Sequence, residues 1–199
     1  MGTENSVLIK QAREALSGKW GLAIGTFFVY FLIVLVVQMI PKAGPIISLL
    51  VSGPIALGLG IFSLSLARNK EANLNQLFEG FKKFGVSLGA YLLMVLFILL
   101  WMLLLIIPGI MAALSYSMTF YILADDNSIG AMQAIDKSKK MMDGYKWKYF
   151  CLGLRFLGWA LLCILSLGIG FLWLVPYMHV ASAKFYDDIK EKVSISDNV

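Results

Sequence analysis

The sequence predicts an all-α membrane protein with six transmembrane helices, arranged as three hairpins in a threefold parallel repeat. Of its 199 residues 59% are hydrophobic and only 15% are charged, which lies outside the range of soluble domains. Several apolar runs exceed the ~18 residues that mark a spanning helix. The third observation is an internal repeat, in which a short amphipathic cytoplasmic surface helix precedes each hairpin.

The repeat is clearest between residues 77–89, which read LFEGFKKFGVSLG, and residues 141–153, which read MMDGYKWKYFCLG. At an offset of 64 residues Gly80 falls on Gly144, and each segment opens a long apolar run. A weaker copy at 16–21 precedes the first apolar run. Within a single integral membrane domain, we expect repeats at about residues 5–67, 71–124 and 128–183, followed by a polar cytoplasmic tail at 184–199.

The first unit begins with a predicted amphipathic helix at 5–17, which Gly18 ends. Its two spans are expected at about 20–40 and 46–67, joined by a proline-bounded turn at 41–45. A charged helix precedes the first apolar run and no small-residue cleavage site follows it. We therefore expect an uncleaved membrane anchor and not a signal peptide.

The second unit begins with a basic connection at 68–84, which is expected to lie on the inner membrane surface with its apolar face in the headgroups. The third span is predicted at 85–107 and the fourth at about 110–124, with Pro108 and Gly109 as the turn between them. The apolar residues at helical spacing in the connection are Leu74, Leu77, Phe78 and Phe81.

The third unit begins with the longest polar stretch, 125–148, which predicts another surface helix. The fifth span is expected at about 149–167, and the sixth returns after a glycine turn at 168–170 and ends at about Ala183. From Lys184 the chain is polar and is expected to fray.

Charge placement predicts the orientation of the chain. Of 17 Lys and Arg residues, fifteen lie before the first span, after the last, or in the two long connections. Lys42 alone falls on the opposite side. This bias predicts that both termini are cytoplasmic and that Lys42, Gly109 and Ile169 lie outside. Basic strips beside spans are explained by orientation and by anionic lipid headgroups, so we expect membrane lipids and no nucleic acid as partners.

The sequence offers little from which to build an enzyme. It contains no phosphate loop, no metal-binding cluster, no nucleophile elbow and only one histidine. Cys151 and Cys163 lie in one predicted helix, roughly 18 Å apart along its axis, and cannot pair within it. We therefore expect no catalytic residues, no cofactor and no metal.

Arg155 and His179 are the ionisable residues placed inside predicted spans, where an arginine costs on the order of 3 kcal/mol on insertion scales. Both lie near the inner boundary, at the depth of Tyr116 and Tyr121 in the fourth span. One hypothesis is a polar pocket of these four residues that takes an anionic headgroup or a small substrate. The alternative is that Arg155 extends to the headgroups and His179 is a neutral packing residue.

Small residues recur at spacings that allow helix backbones to approach closely, and some could also mediate self-association. The helix-packing candidates are Gly21, Gly25, Ser52, Ala56, Gly60, Gly85 and Gly89. Gly53 and Pro54 lie between them, in the second span, and indicate either packing or a gating hinge.

Five segments resemble, in order, a family of bacterial integral membrane proteins catalogued as domain of unknown function 975. They are AREALSGKWGLAIG, LFEGFKKFG, LWMLLLIIPGIM, SKKMMDGYKW and LGIGFLWLVPYMHVASAKFYDD. The resemblance covers nearly the whole chain. It implies a plasma-membrane protein of mainly Gram-positive bacteria, and it implies neither catalytic residues nor a substrate.

Three functions are compatible with the sequence, in decreasing order of preference. The first is a non-enzymatic accessory or scaffold protein that engages lipids or partner membrane proteins. The second is a carrier or exporter of a lipid-like or peptide substrate, and an intramembrane enzyme is a more distant third. The first two differ in whether Arg155 and His179 face each other across a cavity or face lipid and packed neighbours.

Overall fold

The structure is a computed structural model that describes residues 3–196, and within these residues it is helical without any strand, which confirms the predicted all-α class. A short 3-10 helix, Gly80–Lys83, lies between α4 and α5. The α-helices are α1 (Asn5–Leu16), α2 (Trp20–Gln38), α3 (Gly44–Ala67), α4 (Gln76–Glu79), α5 (Phe84–Leu104), α6 (Ile106–Tyr116), α7 (Thr119–Asp125), α8 (Ala131–Met141), α9 (Lys146–Leu165) and α10 (Phe171–Ser196).

Within the described residues, five helical stretches are long and apolar enough to cross a membrane. α10 is not among them, because His179, Lys184 and two aspartates lower the hydropathy of its sequence. The structure therefore supports several membrane-spanning helices without fixing their number at six. The five stretches are Trp20–Gln38, Gly44–Ala67, Gln76–Leu104, Ile106–Asp125 and Lys146–Leu165.

The helices form an inner and an outer layer. In α3 and in the α6–α7 stretch, half of the most apolar 18-residue segment is buried inside the protein. The buried share is 17% in α2 and α9 and 11% in the stretch that contains α5. In the first two expected hairpins the first helix therefore lies outside and the second inside. In the third, α9 lies outside, whereas Val180, Ala181 and Ala183 of α10 are fully buried. Large apolar side chains such as Leu35, Leu99 and Trp159 cover the outer helices and are exposed. Such a surface suits hydrocarbon, not water.

α3 lies at the centre and packs its backbone directly against its neighbours. A Cβ atom at Gly58 would lie within 3.0 Å of the carbonyl oxygen of Leu77. A Cβ atom at Gly53 would lie within the same limit of the carbonyl oxygen of Ser87. On the facing segment, a Cβ at Gly80 would meet the carbonyl of Pro54. Only glycine leaves room for contacts of this kind. For Gly53 and Pro54, these contacts favour packing over a hinge.

Two glycines close the turns from a short helix into a long one. Gly18, between α1 and α2, and Gly144, between α8 and α9, both have φ of +74°, which a residue with a Cβ adopts only with strain. Gly80, which the repeat aligns with Gly144, has φ of −61° and packs against α3 instead. A short helix precedes two longer segments three times along the chain, but the threefold repeat itself stays a prediction.

The turn expected at Pro108 and Gly109 lies earlier, and that expectation is wrong. Leu105 is extended, with φ of −163° and ψ of 148°, and separates α5 from α6. Pro108 instead falls in the first turn of α6, where a missing N–H group costs nothing. Gly109 packs against Met102 of α5. A second break at 117–118 divides the predicted fourth span into α6 and α7.

The short helices α1 and α8 bury their apolar faces against other helices. The sequence instead predicts surface helices whose apolar faces lie in the headgroups. Leu8 and Leu16 of α1 are fully buried in the main core. Ser138 of α8 donates a hydrogen bond to the carbonyl of Ser115 at 2.7 Å and accepts one from the N–H of Met118 at 3.2 Å. α8 thus satisfies backbone groups at the break between α6 and α7.

The apolar residues around α4 are only partly buried. Leu77 is fully buried against α3, whereas Phe78 and Phe81 remain exposed. The glycine contact at Gly58 explains this arrangement, because it draws the backbone of Leu77 onto α3 and turns the two phenylalanines outward.

The chain after Lys184 does not fray within the described residues, so that expectation is wrong. α10 continues without a break to Ser196. Phe185, Tyr186 and Ile189 are fully buried. The polar residues that suggested a loose tail instead form ion pairs with the ends of other helices.

Candidate functional site

Ion pairs bring the ends of α3 and α7 together with the second half of α10. Arg68 directly follows α3, Asp125 ends α7, and Asp187 lies in α10. The Arg68 guanidinium donates to both carboxylate oxygens of Asp125, at 2.5 and 3.1 Å, and its Nη2 donates to Asp187 Oδ1 at 2.7 Å. A planar group with five donors suits two carboxylates at once.

Two further side chains complete this first cluster. Lys190 pairs with Asp125, and the Tyr186 hydroxyl donates to Asp125 Oδ2 at 3.2 Å. The hydrogen bonds that Arg68 donates to Asp125 and Asp187 raise its pKa above its usual value, so the guanidinium stays charged at any physiological pH. Arg68 therefore keeps its ion pairs across the physiological pH range and does not act as a proton switch.

A second cluster centres on Asp188 and joins α10 to the starts of α9 and α1. Lys148 Nζ donates to Asp188 Oδ2 at 2.8 Å, Lys192 pairs with the same carboxylate, and the Thr3 N–H donates at 3.2 Å. Burial raises the pKa of Asp188, but the hydrogen bonds from these three partners outweigh it and lower the pKa to about 2. We call the region of both clusters the charged end.

A central cavity of about 520 Å³ lies among α2, α3, α7 and α10. None of its lining residues, all within the described part of the chain, is an acid, a lysine or an arginine. Its apolar wall comes mainly from α2 and α3, and tyrosine, serine and histidine side chains line the remainder. The polar lining residues are Tyr30, Ser48, Ser52, Tyr91, Ser117, Tyr121, Tyr149, His179 and Ser182.

Hydrogen bonds and ring contacts fix the polar wall of this cavity. The Tyr121 hydroxyl donates to the backbone carbonyl of His179 at 3.2 Å, and the hydroxyls of Tyr149 and Ser182 share a hydrogen bond at 3.2 Å. Tyr121 also stacks on Tyr186, with ring centroids 5.8 Å apart. Because Tyr186 binds Asp125, this stack links the cavity wall directly to the charged end.

The structure separates the four residues of the polar pocket that the sequence predicted. His179 and Tyr121 line the central cavity. Tyr116 packs elsewhere, against Phe97 at 6.1 Å between ring centroids. Arg155 is exposed on α9, in a groove beside the start of α1. Arg155 and His179 thus do not face each other across a cavity, because packing and not depth decides which way each helix face points.

The candidate packing residues also divide into groups. Gly60 packs against the backbone of Phe120 in α7, where a Cβ would lie 3.2 Å from the carbonyl oxygen. Ser52 and Ala56, on the same face of α3, line the central cavity. A Cβ at Gly21, Gly25 or Gly85 would meet nothing within 4 Å, and one at Gly89 would meet only Ala131.

Sequence reasoning missed the charged end. Its signal was present, since Arg68 and Asp125 each lie at the end of an apolar run and Asp187 follows another closely. By itself the sequence indicates only orientation from charges at these positions, because nothing local shows which of them pair. The close packing at Gly58 and Gly80 was missed for the same reason.

A family model described as "Protein of unknown function (DUF975)" matches residues 1–109 and 102–193. No curated protein and no solved structure matches the chain.

The lowered pKa of Asp188 predicts an acid-dependent loss of stability. The folded pKa of about 2 lies below the unfolded value of ~3.9, so the contribution of Asp188 is present above about pH 4 and is lost as the pH falls towards 2. We expect the melting temperature of the detergent-solubilised protein to drop over this window by more in the wild type than in Asp188→Asn. Asp136→Asn, at an exposed position, is the control and should follow the wild type. Identical curves for wild type and Asp188→Asn would contradict the assignment.

Proposed function

The chain belongs to the DUF975 family of proteins of unknown function, and we propose that it is a non-enzymatic multi-pass membrane protein whose central cavity binds an uncharged, lipid-like molecule. The observation that carries this proposal is the cavity of about 520 Å³ itself, which combines a hydrocarbon-like wall with hydroxyl groups and lacks charged lining residues. Its size lies within the ~300–1,000 Å³ of ordinary ligand sites.

The composition of the wall selects the chemistry of the ligand. Residues of α2 and α3 such as Val34 and Ile55 supply apolar surface for a hydrocarbon chain. The hydroxyls of Tyr30 and Tyr91 and the ring of His179 supply hydrogen-bonding groups. A formal charge on the ligand would remain unpaired there, at a large desolvation cost. An alcohol, ester or amide head on an apolar tail fits best.

We further propose that the protein lies in a bacterial plasma membrane with both termini cytoplasmic and that α10 provides a sixth span. In support, the charged end gathers the ends of α3 and α7, the start of α9 and the second half of α10. The first half of α10 lies beside α2, α3 and α9 and lines the cavity with Val175 and His179. The three hairpins would then enter from the same side, as a parallel repeat requires.

A second candidate function, an accessory or scaffold role with partner membrane proteins or with a second copy, is favoured by one observation. Four glycines on the outer helices have open space where a Cβ would lie, namely Gly21, Gly25, Gly85 and Gly153. Another helix could approach their backbones closely. This role and ligand binding in the cavity use different surfaces and are compatible with each other.

Filling the cavity should release its ligand. Ala56→Phe places a ring in the cavity from α3, whereas Leu35→Phe adds a ring on the exposed face of α2. After purification in mild detergent, native mass spectrometry and lipid extraction should find the ligand on wild type and Leu35→Phe and at least roughly tenfold less on Ala56→Phe, since the added ring occupies the site. Melting curves would verify that Ala56→Phe is folded. Equal retention by a folded Ala56→Phe would exclude the cavity as the site.

Orientation can be tested at the turn that the structure locates. With Cys151 and Cys163 replaced by serine, Leu105→Cys should react with a membrane-impermeant thiol reagent in intact cells, since Leu105 is exposed at the end opposite the charged end. Asn73→Cys, in the connection between α3 and α4, should react only after the membrane is opened. The reverse pattern would contradict the proposed topology.

A further inference from the structure

A second depression, of about 960 Å³, opens between the start of α1 and the first turns of α9. We call it the α1–α9 groove, and it shares no lining residue with the central cavity. A hydrogen bond joins its two walls, in which Asn5 Nδ2 donates to the carbonyl of Lys148 at 2.9 Å. Thr3 also donates to Asp188 of α10, which pairs with Lys148. Its lining residues are Thr3, Glu4, Asn5, Asp143, Gly144, Tyr145, Trp147, Lys148, Cys151 and Arg155.

The inner part of the groove holds an unmatched cation. Lys148, Cys151 and Arg155 follow one another at spacings of three and four residues, so they share one face of α9. Arg155 lies roughly 10 Å further along the helix than Lys148, at ~1.5 Å per residue, and within an apolar stretch. Lys148 is paired with Asp188. Arg155 forms no ion pair within residues 3–196, so its exposed guanidinium is available to an anion from outside the chain.

The outer part of the groove holds the opposite charge. Glu4 and Asp143 are exposed at the charged end, and neither forms an ion pair with another described residue. Trp147 lies beside them, is 73% exposed and stacks on Phe150 at 5.4 Å between ring centroids. An exposed indole next to an apolar helix is typical of the headgroup level of a bilayer. The groove therefore has a cation on its membrane side and carboxylates on its aqueous side.

We propose that the α1–α9 groove binds the headgroup of an amine-bearing phospholipid, with the phosphate on Arg155 and the ammonium between Glu4 and Asp143. In such a lipid the phosphate lies next to the acyl chains and the amine lies further towards water, which is the order of charges in the groove. The Arg155 side chain is long enough to extend back towards the charged end and meet the phosphate with two N–H donors. The acyl chains then lie on the exposed apolar face of α9, which includes Leu154 and Leu157.

Charge complementarity decides against a purely anionic lipid. Such a headgroup would satisfy Arg155 but would bring a negative phosphate towards two carboxylates with no ammonium between them. A quaternary amine has no N–H group that could donate a hydrogen bond to the carboxylates. A primary ammonium, as in phosphatidylethanolamine, matches both parts of the groove.

The test is lipid retention by the full-length protein from nanodiscs that contain equal amounts of phosphatidylethanolamine, phosphatidylglycerol and phosphatidylcholine, measured by native mass spectrometry. We expect the wild type to retain phosphatidylethanolamine preferentially. Arg155→Gln should retain roughly tenfold less of it, since it loses a two-pronged charged contact. The double variant Glu4→Gln/Asp143→Asn should lose the preference for phosphatidylethanolamine over phosphatidylglycerol. Lys137→Gln, at an exposed lysine that lines neither the groove nor the surface beside Asp143, is the matched control and should behave as wild type.

Three results would overturn the proposal. One is equal retention of phosphatidylethanolamine by wild type and a folded Arg155→Gln. The second is a wild-type preference for phosphatidylglycerol or phosphatidylcholine. The third is displacement of the lipid by millimolar inorganic phosphate, which would identify a free anion as the occupant. Ala56→Phe should retain phosphatidylethanolamine as wild type does, so that failure of this site and failure of the central cavity are distinguishable.

Discussion

The direct packing of backbone on backbone around α3 is the constraint on which the rest of the structure depends. Gly53 brings the backbone of α5 into contact with α3, Gly58 brings that of α4, and Gly60 brings that of α7. The small side chains of Ser52 and Ala56 leave the central cavity open. At its glycines α3 therefore packs backbone against backbone. At Ser52 and Ala56 its small side chains leave a space of the size of a ligand.

The placement of α3 also determines where charge is tolerated. Its end delivers Arg68 to Asp125 and Asp187, so charges that would be costly in hydrocarbon are satisfied by one another at a single end of the bundle. The cavity beyond them is lined without charge and suits an uncharged ligand. Arg155 is the exception, because its exposed position on an outer helix places it in the α1–α9 groove and not in the cavity.

Local signals predicted the helices well and their neighbours poorly. The length of an apolar run is a local property, so α2 was expected at 20–40 and lies at Trp20–Gln38. The turn at Leu105 was misplaced because a proline signals a turn but is equally at home in the first turn of a helix. Arg68 and Asp187 are 119 residues apart, and only the assembled bundle brings them together. The rotation of α9, which turns Arg155 away from His179, is likewise set by packing.

The most direct test of the central role of α3 is the stability of Gly58→Ala against that of Gly153→Ala, measured as thermal unfolding in the same detergent. A methyl group at Gly58 would collide with the backbone carbonyl of Leu77, whereas one at Gly153 would meet nothing within 4 Å. We expect Gly58→Ala to lower the free energy of unfolding by about 1–3 kcal/mol, as overpacking does. Gly153→Ala should leave it unchanged or raise it by up to ~1 kcal/mol through helix propensity. A Gly58→Ala protein as stable as wild type would show that α3 does not hold its neighbours by backbone contact.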